Sequence, residues 1–233
     1  MHPIRVIFPS YTAAVAQTRV HGESGVQFVQ KAAKAPDNAL RLDNAARALN
    51  SFDHAITSTE KLPLQKLLPD LATYRLGYKV AKSAVTLLVS SGAIPGARER
   101  VGKQELLAVG EQLHRGVDFY TGDTSRYGRY RALDDVNAAL EDAKAGIVML
   151  RKPQLAAPLL KGLTDVGRAI GSRKPVSADQ VSAIDKLLSQ ATTLLDSQIA
   201  SAHAAPIADS SRMLEEALAQ LQSFATPPAA GAA

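Results

Sequence analysis

Apolar side chains recur at intervals of three and four residues along most of the chain, which is the spacing of one face of an α-helix. The stripe that begins at Val181 approaches a short heptad seam. Only residues 4–8 alternate as a strand would, and a lone strand needs a partner. The pattern therefore predicts an all-α protein. The four clearest stripes lie at residues 42–56, 106–120, 136–150 and 181–195.

Helix breaks are marked by proline, glycine and small polar residues at seven places, which predicts an antiparallel bundle of seven or eight helices. The best-marked helix start is the stretch "VSADQV", in which Ser177 is the N-cap and Gln180 its capping-box partner. A final helix is expected from Asp209 to Phe224. The seam from Val181 to Leu195 serves either the protein's own core or a second chain, and the oligomeric state stays open.

Residues 42–56 match residues 133–147 at an offset of 91, and "LLPDL" (67–71) matches "LLKGL" (159–163) one residue later in offset. An internal duplication would give two related three-helix units followed by a C-terminal helical hairpin. The alternative is a chance match between helices rich in alanine and leucine. The expected organisation is an N-terminal segment with short helices (1–36), a first, basic helical unit (37–121), a Tyr/Arg linker (122–131), a second helical unit (132–225) and a disordered tail (226–233).

The composition excludes several kinds of site. No cysteine is present, so disulfides, thiolate nucleophiles and zinc–thiolate sites are excluded. No apolar run reaches the length of a membrane span. Pro3 and Pro9 interrupt any hydrophobic leader region. We expect a soluble protein that is either cytoplasmic or exported without a standard signal peptide.

Charge is distributed unevenly along the chain. The formal net charge is +5, from 27 basic and 22 acidic residues. Residues 1–116 hold 15 basic and 9 acidic residues, whereas residues 117–233 hold 12 and 13. An anionic partner is therefore expected to meet the first half of the chain more readily.

The predicted helix at 69–90 carries the strongest candidate binding surface. Arg75, Lys79 and Lys82 recur at i, i+4 and i+7 on one side, with Tyr74 and Tyr78 beside them. The apolar residues of the opposite side, which we expect to face the core, are Ala72, Leu76, Val80, Ala84, Leu87 and Leu88. Cations one helical turn apart can follow an anionic partner, and the tyrosines can stack on bases or fill a partner's groove. The alternative is a solvated face whose tyrosines cover the edge of the core.

A second candidate lies in the stretch "DFYTGDTSRYGRYRALDD" (118–135). Arginine forks and tyrosine rings in a glycine-containing segment can bind a phosphate or a carboxylate. The alternative is a connection between helices in which the tyrosines anchor the turn and the arginines point outward. The candidate partner-binding residues are Arg126, Tyr127, Arg129, Tyr130 and Arg131.

One spacing suggests a metal ligand pair. Glu111 and His114 form an ExxH motif, in which one helix offers two ligands to a carboxylate-bridged metal pair. Such a centre needs a second ExxH motif, and the chain has none. A surface cluster of Glu111, His114 and Asp118 is the alternative. No nucleophile motif is present, and no cofactor is implied.

These observations favour a non-enzymatic helical interaction protein, such as an adaptor, an assembly factor or an exported partner-binding protein. Its basic helix face would meet an anionic partner, with a protein preferred over nucleic acid or another anionic surface. One alternative is an amphipathic protein that coats lipid or granule surfaces. Another is a helical-bundle enzyme, with Glu111 and His114 as metal ligands.

Overall fold

The computed structural model describes residues 9–60, 70–123, 125–150 and 152–226. Over these residues the chain is helical with no strand, so the predicted all-α, multi-helix fold is confirmed. The helices are α1 (Pro9–Lys34), α2 (Asn38–Glu60), α3 (Leu71–Ser90), α4 (Ala97–Gly122), α5 (Arg126–Leu150), α6 (Pro153–Gly171), α7 (Ala178–Ser201) and α8 (Ser210–Ala225).

A local sequence signal sets the start of α7, whereas α1 differs from its prediction. At the start of α7, the Gln180 amide donates to Ser177 Oγ at 3.2 Å and the Ser177 amide donates to Gln180 Oε1 at 2.9 Å, so the predicted capping box is confirmed. Helix α1 is continuous over 26 residues, where the sequence predicted short helices. The candidate strand at 4–8 and all but the first residue of the predicted tail lie outside the described residues.

Contacts divide the chain into two compact units. We call residues 18–101 with 198–226 the terminal unit, and residues 102–197 with the beginning of α1 the central unit. The sequence placed the division at 122–131 instead. Helix α4 ends at Gly122 and α5 begins at Arg126, so most of the expected linker is helical. A helix break is a local event, whereas the unit boundary follows from which apolar faces share a core.

The terminal unit is packed around one aromatic side chain. Phe52 of α2 is fully buried. A Cβ atom on Gly25 of α1 or on Gly77 of α3 would lie 2.7 or 2.4 Å from its ring. Phe224 of α8 contacts the ring edge-on, with centroids 5.9 Å apart. The two glycines therefore allow α1 and α3 to approach Phe52 as closely as the fold requires.

The central unit has an aliphatic core instead. Its buried core members are alanine, valine, leucine and isoleucine side chains from α4 to α7, including Leu113, Leu163 and Leu195. Among its buried polar side chains, Gln112 donates from Nε2 to Asp142 Oδ2 at 2.9 Å. That hydrogen bond offsets the cost of burying both polar groups between α4 and α5.

Helices α2 and α5, the second helices of the two units, are buried at matching positions when they are aligned at the offset of 91. Buried residues occur at both members of the pairs 45/136, 48/139, 52/143 and 55/146, the last of which joins Ala55 to Gly146. The pairing of 67–71 with 159–163 does not extend this agreement, because Leu71 begins α3 whereas Leu159 and Leu163 lie in the interior of α6. Helices α7 and α8, expected as one hairpin, place their buried apolar residues in different cores.

Candidate functional site

Helix α3 packs against α2 and α8. The buried side of α3 consists of Leu71, Tyr74, Gly77, Ala81, Ala84, Val85 and Leu88. Leu76, predicted to face the core, is instead 55% exposed. That prediction was wrong because Gly77, which has no side chain of its own to bury, is the residue that lies against Phe52.

The opposite side of α3 is basic and exposed. Arg75, Lys79 and Lys82 all face solvent there, and Leu76, at one edge of this group, is exposed as well. We call these four residues the α3 basic face. The helix contains no carboxylate, and no ion pair to its three cations is found within the part of the chain that the structure describes. The positive charge of this face is therefore not neutralised by described neighbours.

The two tyrosines of α3 differ from each other. Tyr74 is only 5% exposed, and its ring lies where a Cβ on Gly22 would be. Burial, followed by the nearby carboxylates of Asp70 and Glu23, raises the pKa of Tyr74. Tyr74 is thus a core residue, and its expected role in partner binding is corrected. Tyr78 is half-buried, and Lys82 Nζ lies 5.6 Å from its ring centroid.

Residues 126–131 of the expected Tyr/Arg linker form the first two turns of α5. Arg126 and Tyr130 are exposed and Arg129 is half-exposed. Arg131 is half-buried with its guanidinium 3.8 Å from the centroid of the Phe119 ring, so it packs within the central unit instead of pointing outward. The side chain of Tyr127 lies outside the described residues. Sequence reasoning therefore identified Arg126 and Tyr130 as accessible but misjudged Arg131.

The turn before α5 is held by its own polar groups. The Ser125 amide donates to Asp123 Oδ1 at 2.9 Å, and the Gly128 amide donates to Ser125 Oγ at 3.2 Å. Hydrogen bonds, that of the Ser125 side chain first, lower the pKa of Asp123. These contacts fix the start of α5 and, with it, the direction in which Arg126 leaves the helix.

The candidate metal ligand His114 pairs with a carboxylate of another helix. His114 Nε2 lies 3.0 Å from Asp185 Oδ1 of α7, and both side chains are substantially exposed. Over the described ranges, no three His, Cys, Asp or Glu side chains come together as a metal site. Glu111 and His114 therefore do not form part of a multidentate centre there.

Sequence reasoning missed a buried histidine pair. His21 of α1 and His54 of α2 are both buried, with ring centroids 5.6 Å apart. His54 does not belong to the apolar stripe of α2, yet it is buried because a second side of that helix is covered. The sequence does carry a signal for this second buried side of α2. Small or uncharged residues recur at every fourth position from Ala46 through Asn50 and His54 to Ser58.

Helix α6 offers a direct contrast with α3. Lys161, Asp165 and Arg168 have the same i, i+4, i+7 spacing as the cations of α3. Asp165 accepts from Lys161 Nζ at 2.5 Å and from Arg168 at 2.8 Å. The Lys161 hydrogen bond is the main reason that the pKa of Asp165 is lowered. Both cations of α6 therefore have an ion-pair partner on their own helix.

Exposed large apolar residues are spread over the described surface. They are Val20, Leu40, Leu76, Tyr130, Val148 and Ile207, and no helix carries more than two of them. A surface helix that lies in a lipid interface needs a continuous apolar face. In the described ranges no helix is apolar enough to span a membrane.

No known protein family matches this chain, and neither a curated protein nor a solved structure is similar to it. The α3 basic face is therefore interpreted from its own geometry and charge.

Proposed function

We propose that this protein is a non-enzymatic helical interaction protein whose α3 basic face binds an acidic segment of another protein. One observation carries the proposal. Three exposed cations lie beside an exposed leucine on a helix that has no carboxylate. Such a face attracts negative charge and also offers an apolar contact, which is the usual combination at protein–protein interfaces.

The spacing of the cations suits a helical or extended acidic segment. Successive cations in the series Arg75, Lys79 and Lys82 are about 4.5 to 6 Å apart along the helix axis, since each residue adds about 1.5 Å. Their positions are set by a regular element that packs on α2 and α8. Little backbone ordering is then needed when a partner binds, which preserves more of the interaction free energy as affinity.

The geometry is less suited to the other anionic partners. Base stacking on single-stranded nucleic acid requires exposed aromatic faces, but Tyr74 is buried and Tyr78 is half-buried beside Lys82. A lipid surface requires a broad apolar stripe, and Leu76 is the one large apolar residue of α3 that is more than half exposed.

Fluorescence anisotropy with a synthetic acidic peptide tests the proposal. The peptide carries glutamates one helical turn apart and one central leucine. The triple variant Arg75→Ala, Lys79→Ala, Lys82→Ala should bind it at least about ten-fold more weakly, because three favourable charge contacts are lost. Its affinity should also depend less on salt concentration. Far-UV circular dichroism verifies that the variant is still helical.

A matched control removes the same charge elsewhere. Lys144, Lys161 and Arg168 are exposed cations in ion pairs on α5 and α6, and replacing all three with alanine should leave peptide affinity within about two-fold. If the two triple variants lose affinity equally, net charge alone attracts the peptide and the proposal fails. Unchanged binding by the α3 variant also contradicts it.

A further inference from the structure

A hydrogen bond brings two turns of the central unit to the same end. Tyr120 Oη, in the last turn of α4, donates to the backbone carbonyl of Lys174 at 3.0 Å. Lys174 belongs to the connection between α6 and α7. Because only a short turn separates α4 from α5, the first turn of α5 lies at this end as well.

This end is rich in uncompensated cations. Residues 122–131 and 171–180 together hold five basic and two acidic side chains. Arg126, Arg173 and Lys174 are exposed and Arg129 is half-exposed. No ion pair to these four is found among the residues that the structure describes. Of the two acids, Asp123 accepts a hydrogen bond from the Ser125 amide. The other, Asp179, lies in the first turn of α7.

Arg173 occupies a position that glycine usually takes. Its φ is 59°, in the left-handed region, and no other non-glycine residue of the described ranges has a positive φ. The Lys174 amide donates to the Ala169 carbonyl at 2.9 Å, which closes α6 in the manner of a glycine-capped helix. A cation is therefore present at this exposed position despite the backbone cost of an arginine there.

Tyr130 adds an aromatic surface beside Arg126 and Arg129. It is 40% exposed. Arg126, Arg129 and Tyr130 fall within about 100° of one another around α5, given the helical periodicity. An exposed ring flanked by arginines is the combination that α3 lacks, because its first tyrosine is buried and its second is half-buried beside Lys82.

We infer that this end of the central unit binds single-stranded nucleic acid. We call Arg126, Arg129, Tyr130, Arg173 and Lys174 the basic end. Its cations contact backbone phosphates, for which the arginine fork is well suited, and the Tyr130 ring stacks on a base. This activity uses no residue of the α3 basic face and does not depend on the function proposed above.

The test uses a fluorescein-labelled oligothymidine of about fifteen nucleotides, a length within the range of common single-strand sites. The variant Arg126→Ala, Arg173→Gly should bind it about ten-fold more weakly, and the log–log slope of affinity against salt should fall by about 1.4, or about 0.7 for each phosphate contact. Arg173→Gly suits the left-handed backbone, so thermal unfolding should show no loss of stability.

Tyr130 separates stacking from simple charge attraction. Tyr130→Ala should weaken oligothymidine binding about ten-fold with the salt slope unchanged, whereas Tyr130→Phe keeps most of the affinity. The control variant Lys161→Ala, Arg168→Ala removes the same charge as the arginine pair and should bind normally. The α3 triple variant should also bind the oligothymidine normally, so the two proposals can fail separately.

Three results would overturn the inference. One is unchanged oligothymidine binding by the arginine variant, and a second is the same loss in the Lys161/Arg168 control. A third is unchanged binding by Tyr130→Ala together with equal affinity for polyglutamate, which would leave no role for stacking or for phosphate.

Discussion

Helices α3 and α6 are each the third helix of a run in their own unit, and they carry charged residues at the same i, i+4, i+7 spacing. In α6 the middle residue is Asp165, which binds both flanking cations. In α3 it is Lys79, so three like charges share one face. Like charges at this spacing cost a helix a few tenths of a kcal/mol. The difference shows that one residue decides whether a basic face is neutralised locally or remains available to a partner.

The two cores differ as well. The terminal unit concentrates its packing on Phe52 between two glycines, whereas the central unit distributes its packing over many aliphatic side chains. A core built around one large ring should be more sensitive to a single substitution at that ring.

Phe52→Ala should lower the free energy of unfolding by about 3–5 kcal/mol, because it removes a buried aromatic ring and leaves a cavity. Urea unfolding followed by circular dichroism measures the loss. Leu113→Ala in the central unit is the comparison, with an expected loss nearer to about 2–3 kcal/mol. Equal losses would remove the contrast between the two cores.

Gly77→Ala should destabilise the protein by about 1–3 kcal/mol, because the added methyl group would overlap the Phe52 ring. The smaller side chain of Phe52→Leu should partly relieve that overlap. A double-mutant cycle of the two substitutions by urea unfolding should therefore show clear coupling. Additive effects would mean that the glycine and the ring do not constrain each other.

Lys79→Asp gives α3 the charge pattern of α6. The variant should bind the acidic peptide about ten-fold more weakly while becoming slightly more stable, since two i, i+3 or i, i+4 attractions replace repulsions. Anisotropy and thermal unfolding on the same sample measure the two effects. A variant that loses both affinity and stability would point to a packing role for Lys79.

Asp165→Asn should have the smallest effect, because the two ion pairs that it breaks are exposed. The pKa of Asp165 is lowered in the folded protein, so its ionised form stabilises the fold above the unfolded pKa of about 3.9. That contribution is lost as the pH falls through the folded pKa. Thermal unfolding should therefore distinguish the variant slightly at neutral pH and not in strong acid. A difference that grows as the pH falls would contradict this sign.

Local signals in the sequence were sufficient for the helices and for the cations of α3. The Ser177–Gln180 capping box and the exposed positions of Arg75, Lys79 and Lys82 follow from spacing within one helix. The exposure of Leu76 did not follow, because it depends on the fit of Gly77 to Phe52 of another helix. Hydrophobicity alone favoured Leu76 as the core residue.

Dependence on contacts with distant residues also explains the other differences between the sequence predictions and the structure. The burial of His54 depends on α1 covering a second side of α2, and the Tyr120–Lys174 hydrogen bond joins residues 54 positions apart. The unit boundary inside α4 likewise depends on which distant faces pack together. Spacing within one helix carries no information about such pairings.

The most direct test of the account is an NMR titration of isotope-labelled protein with the acidic peptide. Chemical-shift changes should concentrate at Arg75, Leu76, Lys79 and Lys82 of α3, and the corresponding positions Lys161, Asp165 and Arg168 of α6 should stay unperturbed. Equal changes on both helices, or changes on α6 alone, would contradict the claim that local neutralisation decides which face binds.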